Sequence, residues 1–158
     1  AKPNVTGKTA GVGKDIINVL EEVSSFYDGA QINVNSGLRT PKEQANIMWE
    51  YWVSNLDRGK IYNKIKNDPD LYKTLNDHYD KNEKAEFCAV IEPDATRYSR
   101  HVIGRAVDVP KNLDPKMVDA IASVLRKVTE NLCFHFDDQG LKVPATIPES
   151  TKAKWAKP

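Results

Sequence analysis

Two histidines and an aspartate carry the chemistry that this sequence offers. His101 precedes Asp108 by seven positions, and His135 lies on a separate, later segment. Two imidazole nitrogens and one carboxylate oxygen can hold a divalent metal and leave one position for water. That is the ligand count of a catalytic zinc site, not of a closed structural one. Ligands so far apart in the chain need rigid elements to bring them together. Alternation in Arg105-Ala106-Val107-Asp108-Val109 predicts a strand with Ala106 and Asp108 on one face and Arg105, Val107 and Val109 on the other, stopped by Pro110. The segment 132–136 predicts another strand, with Leu132, Phe134 and Phe136 on one side and Cys133, His135 and Asp137 on the other. With the apolar sides in the core, His135 faces the opposite way.

The remaining elements follow from periodicity and punctuation. Ile16, Ile17, Leu20, Val23, Phe26 and Tyr27 recur at helical spacing before Asp28-Gly29, which predicts a helix over 13–28. Alternation over 31–35 predicts a short strand burying Ile32 and Val34. Thr40, Pro41 and Glu43 form a capping box with proline at the first helical position, opening a helix over 41–56 with Ala45, Met48, Trp49 and Trp52 as its buried stripe. A polar, Lys/Asn/Asp-rich stretch at 55–84 reads as a helical insertion, with fragments near 59–67 and 70–79. The apolar run 87–91 predicts a strand. Asp114-Pro115 opens a helix reaching about 131, with Met117, Val118, Ile121, Val124, Leu125 and Val128 inward. Beyond Gly140, an extended tail is expected over 141–158.

Length and charge bound the function. At 158 residues and 17.8 kDa, with 40% hydrophobic and 28% charged residues, the chain is expected to form one domain over 1–158. Lys and Arg total 23 against 22 for Asp and Glu, so no excess of positive charge favours nucleic acid. No apolar run approaches the ~18–20 residues of a membrane span. The chain begins without Met, which fits a processed form, a fragment or a chain whose leader has been removed. Cys88 and Cys133 match no thiolate zinc motif. Either they stay as buried thiols, or in an oxidising compartment they form one bridge worth roughly 4 kcal/mol in chain entropy.

The residues around the first two ligands are more specific than their spacing. Ser99-Arg100-His101-Val102-Ile103-Gly104-Arg105-Ala106-Val107-Asp108 fits the pattern SxHxxGxAxD. Upstream, Ser36-Gly37-Leu38-Arg39-Thr40 with Gln44 fits SGxRTxxxQ, and Phe134-His135-Phe136-Asp137 forms a third block on a predicted strand. Together these resemble the signature of the zinc D-Ala-D-Ala metallopeptidases of bacterial cell walls, relatives of the lysostaphin-type enzymes and of the hedgehog signalling domain.

The resemblance implies that His101, Asp108 and His135 hold one Zn²⁺ and that Arg39 lies near the substrate carbonyl, where its forked donors suit an oxyanion or a terminal carboxylate. Ser99 and Gln44 are candidates for contacting substrate or bracing a ligand. The implied fold is α+β, with a small, mainly antiparallel sheet of about four strands and helices on one face. The implied activity is hydrolysis of an amide next to a D-amino acid in peptidoglycan, by endopeptidase or carboxypeptidase action, in the periplasm or at the cell wall. A phage lysin or a secreted antibacterial toxin with an immunity protein fits the same chemistry. The sequence departs from the family at two positions. Many relatives carry Glu or Asp three residues before the last zinc histidine, where this chain has Leu132, and others carry His two residues before it, where this chain has Cys133. Asp137 and Glu130 are therefore the candidates for general base. The alternative function is a non-catalytic, hedgehog-like module whose zinc stabilises a binding surface for wall peptide or a protein partner.

Overall fold

The computed structural model of the chain describes residues 1–54 and 58–158. In chain order the elements are β1 (Val5–Gly7), α1 (Lys14–Phe26), β2 (Ile32–Val34), α2 (Pro41–Glu50), α3 (Asn63–Lys66), α4 (Pro69–Asp80), α5 (Lys84–Ile91), 3₁₀ turns at Glu92–Arg97 and Arg100–Ile103, β3 (Ala106–Pro110), α6 (Pro115–Ala122), β4 (Arg126–Thr129), β5 (Cys133–Asp137) and α7 (Glu149–Lys152). They form two compact units, one from Ala1–Leu38 with Ile103–Pro158 and the other from Arg39–Val102.

The first unit is α+β. β1 and β2 pair in parallel across α1, and β3, β5 and β4 form an antiparallel sheet in that spatial order. The antiparallel sheet is thus smaller than the four strands expected. α1 buries Ile16, Val19, Leu20 and Val23 on its apolar stripe. It ends where Asp28 and Gly29 take positive φ, the stop anticipated from their residue types. That stripe packs in one core with Ile32, Val107, Val109, Met117, Ile121 and Phe136.

The second unit is helical around its own core of Ala45, Met48, Trp52, Ile65, Leu75, Phe87 and Ile91. α2 opens with the full capping box at Thr40 and Glu43. It closes at Glu50, short of the expected 56, and positions 55 and 56 lie outside the described residues. Trp52 is 1% exposed, meets Phe87 edge to face, and donates its indole N–H to Asn76. Burying this much aromatic surface is ample reason for the tryptophans to be there.

Three further sequence expectations are overturned. The run 87–91 lies within helix α5, not on a strand. Short continuous apolar runs do not separate strand from helix, and here Lys84, Ala85 and Glu86 extend the segment so that Phe87 and Ile91, one turn apart, fill the core. The helix expected to reach 131 stops at Ala122, and Arg126–Thr129 is strand β4. Val128 and Thr129, stiff at χ1, fit the pleat better than a helix end. The tail is not simply extended, since 149–152 form α7 and Trp155, 7% exposed, packs in the first core and donates to the Ser123 hydroxyl.

Candidate metal centre

Strand β3 is fixed at Asp108 along the edge away from β5. Its N–H donates to the Ser36 carbonyl (2.9 Å), and its carbonyl accepts from the Asn35 N–H (2.8 Å). Both backbone groups of a strand residue point to one edge, so Asp108 and its register partner His135 form a non-hydrogen-bonded pair of the β3–β5 ladder. Opposed side chains come closest in such pairs. Val107 opposite Phe136 and Val109 opposite Phe134 turn the other face to the core, as the alternation predicted.

The two faces of the His135 ring have separate partners. Nδ1 lies 3.0 Å from Asp108 Oδ1, and Nε2 lies 2.7 Å from Asp137 Oδ2. Asp137 is in turn clamped by Arg126 opposite it on β4, which donates Nε–H to Oδ1 (2.8 Å) and Nη2–H to Oδ2 (2.6 Å), while the Gln139 N–H donates to Oδ1 (3.0 Å). Burial draws the His135 pKa down, but hydrogen bonding to Asp108 and Asp137 more than offsets it and pushes the imidazole up to about 9. For Asp137, burial would raise the carboxyl, yet His135 and Arg126 hold it far below the usual carboxylate range.

His101 is 1% exposed in the turn Arg100–Ile103, and its N–H donates to the Ser99 hydroxyl (3.2 Å). Ser99 therefore braces the backbone of this residue. Within the first unit, Asp108 and His135 are both buried and set a carboxylate oxygen beside an imidazole nitrogen, a pair able to supply two ligands to a divalent metal. This donor chemistry suits zinc, with His135 offering Nδ1 beside Asp108 while a carboxylate holds Nε2–H and fixes the tautomer.

Glu130 is on no helix. It continues β4 in phase with Arg126 and Val128, and its N–H donates to the Cys133 carbonyl (3.0 Å) as the chain reverses over Asn131 and Leu132. The hairpin thus sets Glu130 across from Cys133, with its Oε2 3.9 Å from His135 Nδ1. Leu132, at the turn of the hairpin, is 73% exposed. Glu130 reaches the site through strand pairing, which linear spacing does not reveal.

Arg39 donates Nη1–H to Gln44 Oε1 (3.1 Å), and its backbone N–H donates to the His101 carbonyl (3.0 Å). Gln44 is fully buried, and its Nε2 has no hydrogen-bond partner among the described residues. His78 pairs instead with Glu83, at 3.0 Å. Cys88 and Cys133 both stand as thiols.

Two positions of the motif owe their identity to packing. Gly104 has φ +70°, and a Cβ there would sit 2.3 Å from the Gly11 carbonyl oxygen. Its own carbonyl accepts from the Gly13 N–H (2.9 Å), so glycine permits this backbone crossing. Arg105 forks onto Asp15 (2.6 and 2.7 Å) and donates Nε–H to Asp138 (2.8 Å), joining the first turn of α1, the entry to β3 and the exit of β5. This network and the Arg126 clamp leave no local signal in the sequence, because both rest on pairings between distant segments. No protein-family model matches the chain, and neither a curated protein nor a solved structure matches it. Among the described residues, no helix is long and apolar enough to cross a membrane.

Proposed function

We propose that this protein is a zinc-dependent peptidase that hydrolyses an amide next to a D-amino acid in peptidoglycan stem peptides or cross-links. The observation that carries the reading is the buried pair Asp108 and His135, 3.0 Å apart on facing strands, joined to the three-block resemblance, which adds His101 as the third ligand. These residues would hold one Zn²⁺, which when bound supplies Lewis acidity and lowers the pKa of water at the site. Asp137 orients His135 and keeps Nε2 protonated. With its oxygens occupied by His135, Arg126 and Gln139, it is poorly placed to accept a further proton.

The base role falls to Glu130, whose side chain is 32% exposed and stands beside His135. Its carboxylate accepts a proton from the attacking water and returns it to the departing amine. Arg39, held by Gln44, is assigned to the substrate carbonyl or carboxylate oxygen on the strength of its motif. The place of action is the periplasm or cell wall, and a secreted toxin of this type would need an immunity protein.

The second reading, a zinc-stabilised binding module, is favoured by the exposed Leu132 at the position where relatives carry their base. Metal analysis combined with digestion of purified peptidoglycan, with product masses recorded with and without chelator, decides between them. Stoichiometric zinc that disappears in His101→Ala, together with chelator-sensitive release of wall peptides, is the result expected. Zinc-replete protein that releases nothing overturns the peptidase, and metal-free protein of undiminished stability overturns the metal centre.

A further inference from the structure

The hairpin that presents His135 gathers a second donor set, and this one contains a thiol. Cys133 shares the His135 face of β5, with Glu130 across the hairpin end. One oxygen each from Asp108 and Glu130 and the Cys133 sulfur lie within 4.8 Å of one another. Cys133 Sγ is 3.7 Å from Glu130 Oε1. Cys133 and Glu130 are both only partly buried, so an ion can reach them from solvent. A thiolate beside two carboxylates discriminates by softness: Mg²⁺ and Ca²⁺ gain little from sulfur, whereas Zn²⁺, Co²⁺ and Cd²⁺ bind it strongly.

We propose that Asp108, Glu130 and Cys133 form a second, inhibitory site for a thiophilic divalent cation, sharing Asp108 with the first centre. The inference rests on the function proposed above, because a cation held by Glu130 takes away the proton acceptor for hydrolysis. Binding replaces the Cys133 thiol proton, which passes to solvent, and nothing is oxidised or reduced. Two cations on one shared carboxylate repel, so the second binds more weakly than the first. Excess zinc then acts as an off switch.

The test uses protein carrying Cys88→Ser, in which Cys133 is the only thiol, loaded with one equivalent of zinc and titrated with Co²⁺. Metal stoichiometry, the thiolate-to-cobalt charge-transfer band in the near ultraviolet and release of wall peptides are read on the same samples. A second equivalent should bind, with the band appearing and hydrolysis falling about tenfold or more. Adding Cys133→Ser should abolish the band and the inhibition while leaving the first equivalent and basal hydrolysis intact. Absence of a second equivalent in the parent, or a band that survives Cys133→Ser, overturns the site. If the parent hydrolyses nothing before cobalt is added, the peptidase assignment falls, while the band and the stoichiometry still decide whether the second site exists.

Discussion

Asp108 and His135 meet across two antiparallel strands with Oδ1 and Nδ1 3.0 Å apart, and the far nitrogen of the same ring lies 2.7 Å from Asp137. One imidazole thus has a carboxylate on either edge. The arrangement assigns the two acids different work, since Asp108 stands where an ion would bind and Asp137 fixes the ring that would bind it.

Asp137→Asn and Glu130→Gln should therefore fail differently. Replacing Asp137 loosens the tautomer and the ring, and zinc affinity is expected to fall about 10- to 100-fold. Replacing Glu130 should leave zinc bound at full stoichiometry while kcat for wall peptide drops by roughly two to four orders of magnitude. Equilibrium dialysis against a zinc buffer, run beside the hydrolysis assay, checks both, and the assignment is reversed if Glu130→Gln keeps its rate.

Arg126→Ala removes the two donors that hold Asp137. It should reproduce the zinc-affinity loss of Asp137→Asn in weaker form, with Arg126→Lys intermediate because a single ammonium cannot fork. Equal affinities for the alanine variant and the parent would show the clamp to be idle.

Asp15 supplies a pH dependence of stability. Hydrogen bonding to Arg105 lowers its carboxyl from 3.8 to about 2. A depressed folded-state pKa stabilises the protein above the unfolded value, and that contribution is lost as pH falls from about 4 to 2. After solvent screening the effect is on the order of 1 kcal/mol. Urea denaturation of the parent and Asp15→Asn at pH 7 and pH 2.5 should show a gap at neutrality that narrows in acid, and a constant gap would refute the linkage.

Gly104→Ala should cost more than the ~1 kcal/mol of an ordinary positive-φ substitution, because the added carbon would meet the Gly11 carbonyl oxygen at 2.3 Å. A lowered midpoint in thermal melts is expected with or without zinc. An unchanged midpoint would mean that the crossing relaxes easily.

Much of this architecture was legible in the residues. Alternation in 105–109 and 132–136 marked β3, β5 and the faces of Asp108 and His135, and Thr40, Pro41 and Glu43 marked the start of α2. Elsewhere local signals were ambiguous or silent. Phe87–Ile91 is apolar at nearly every position, so no period distinguishes strand from helix until Phe87 and Ile91 find a shared core. Val124, Leu125 and Val128 continued a helical spacing across what becomes a turn and β4. The Glu130 and Arg126 contacts depend on which strands pair and in what register, which a single sequence does not encode locally.

The hairpin of β4 and β5 reverses over Asn131 and Leu132, and its strand β5 sends Phe136 inward and His135 to the opposite side. Sliding that strand by one residue would bring the phenyl rings to the ligand face and drive an imidazole and a carboxylate into hydrocarbon. The slipped molecule would forfeit its core together with its chemistry. Pairing errors at this hairpin should therefore yield unfolded chains, and a well-packed but inert protein is not an available outcome.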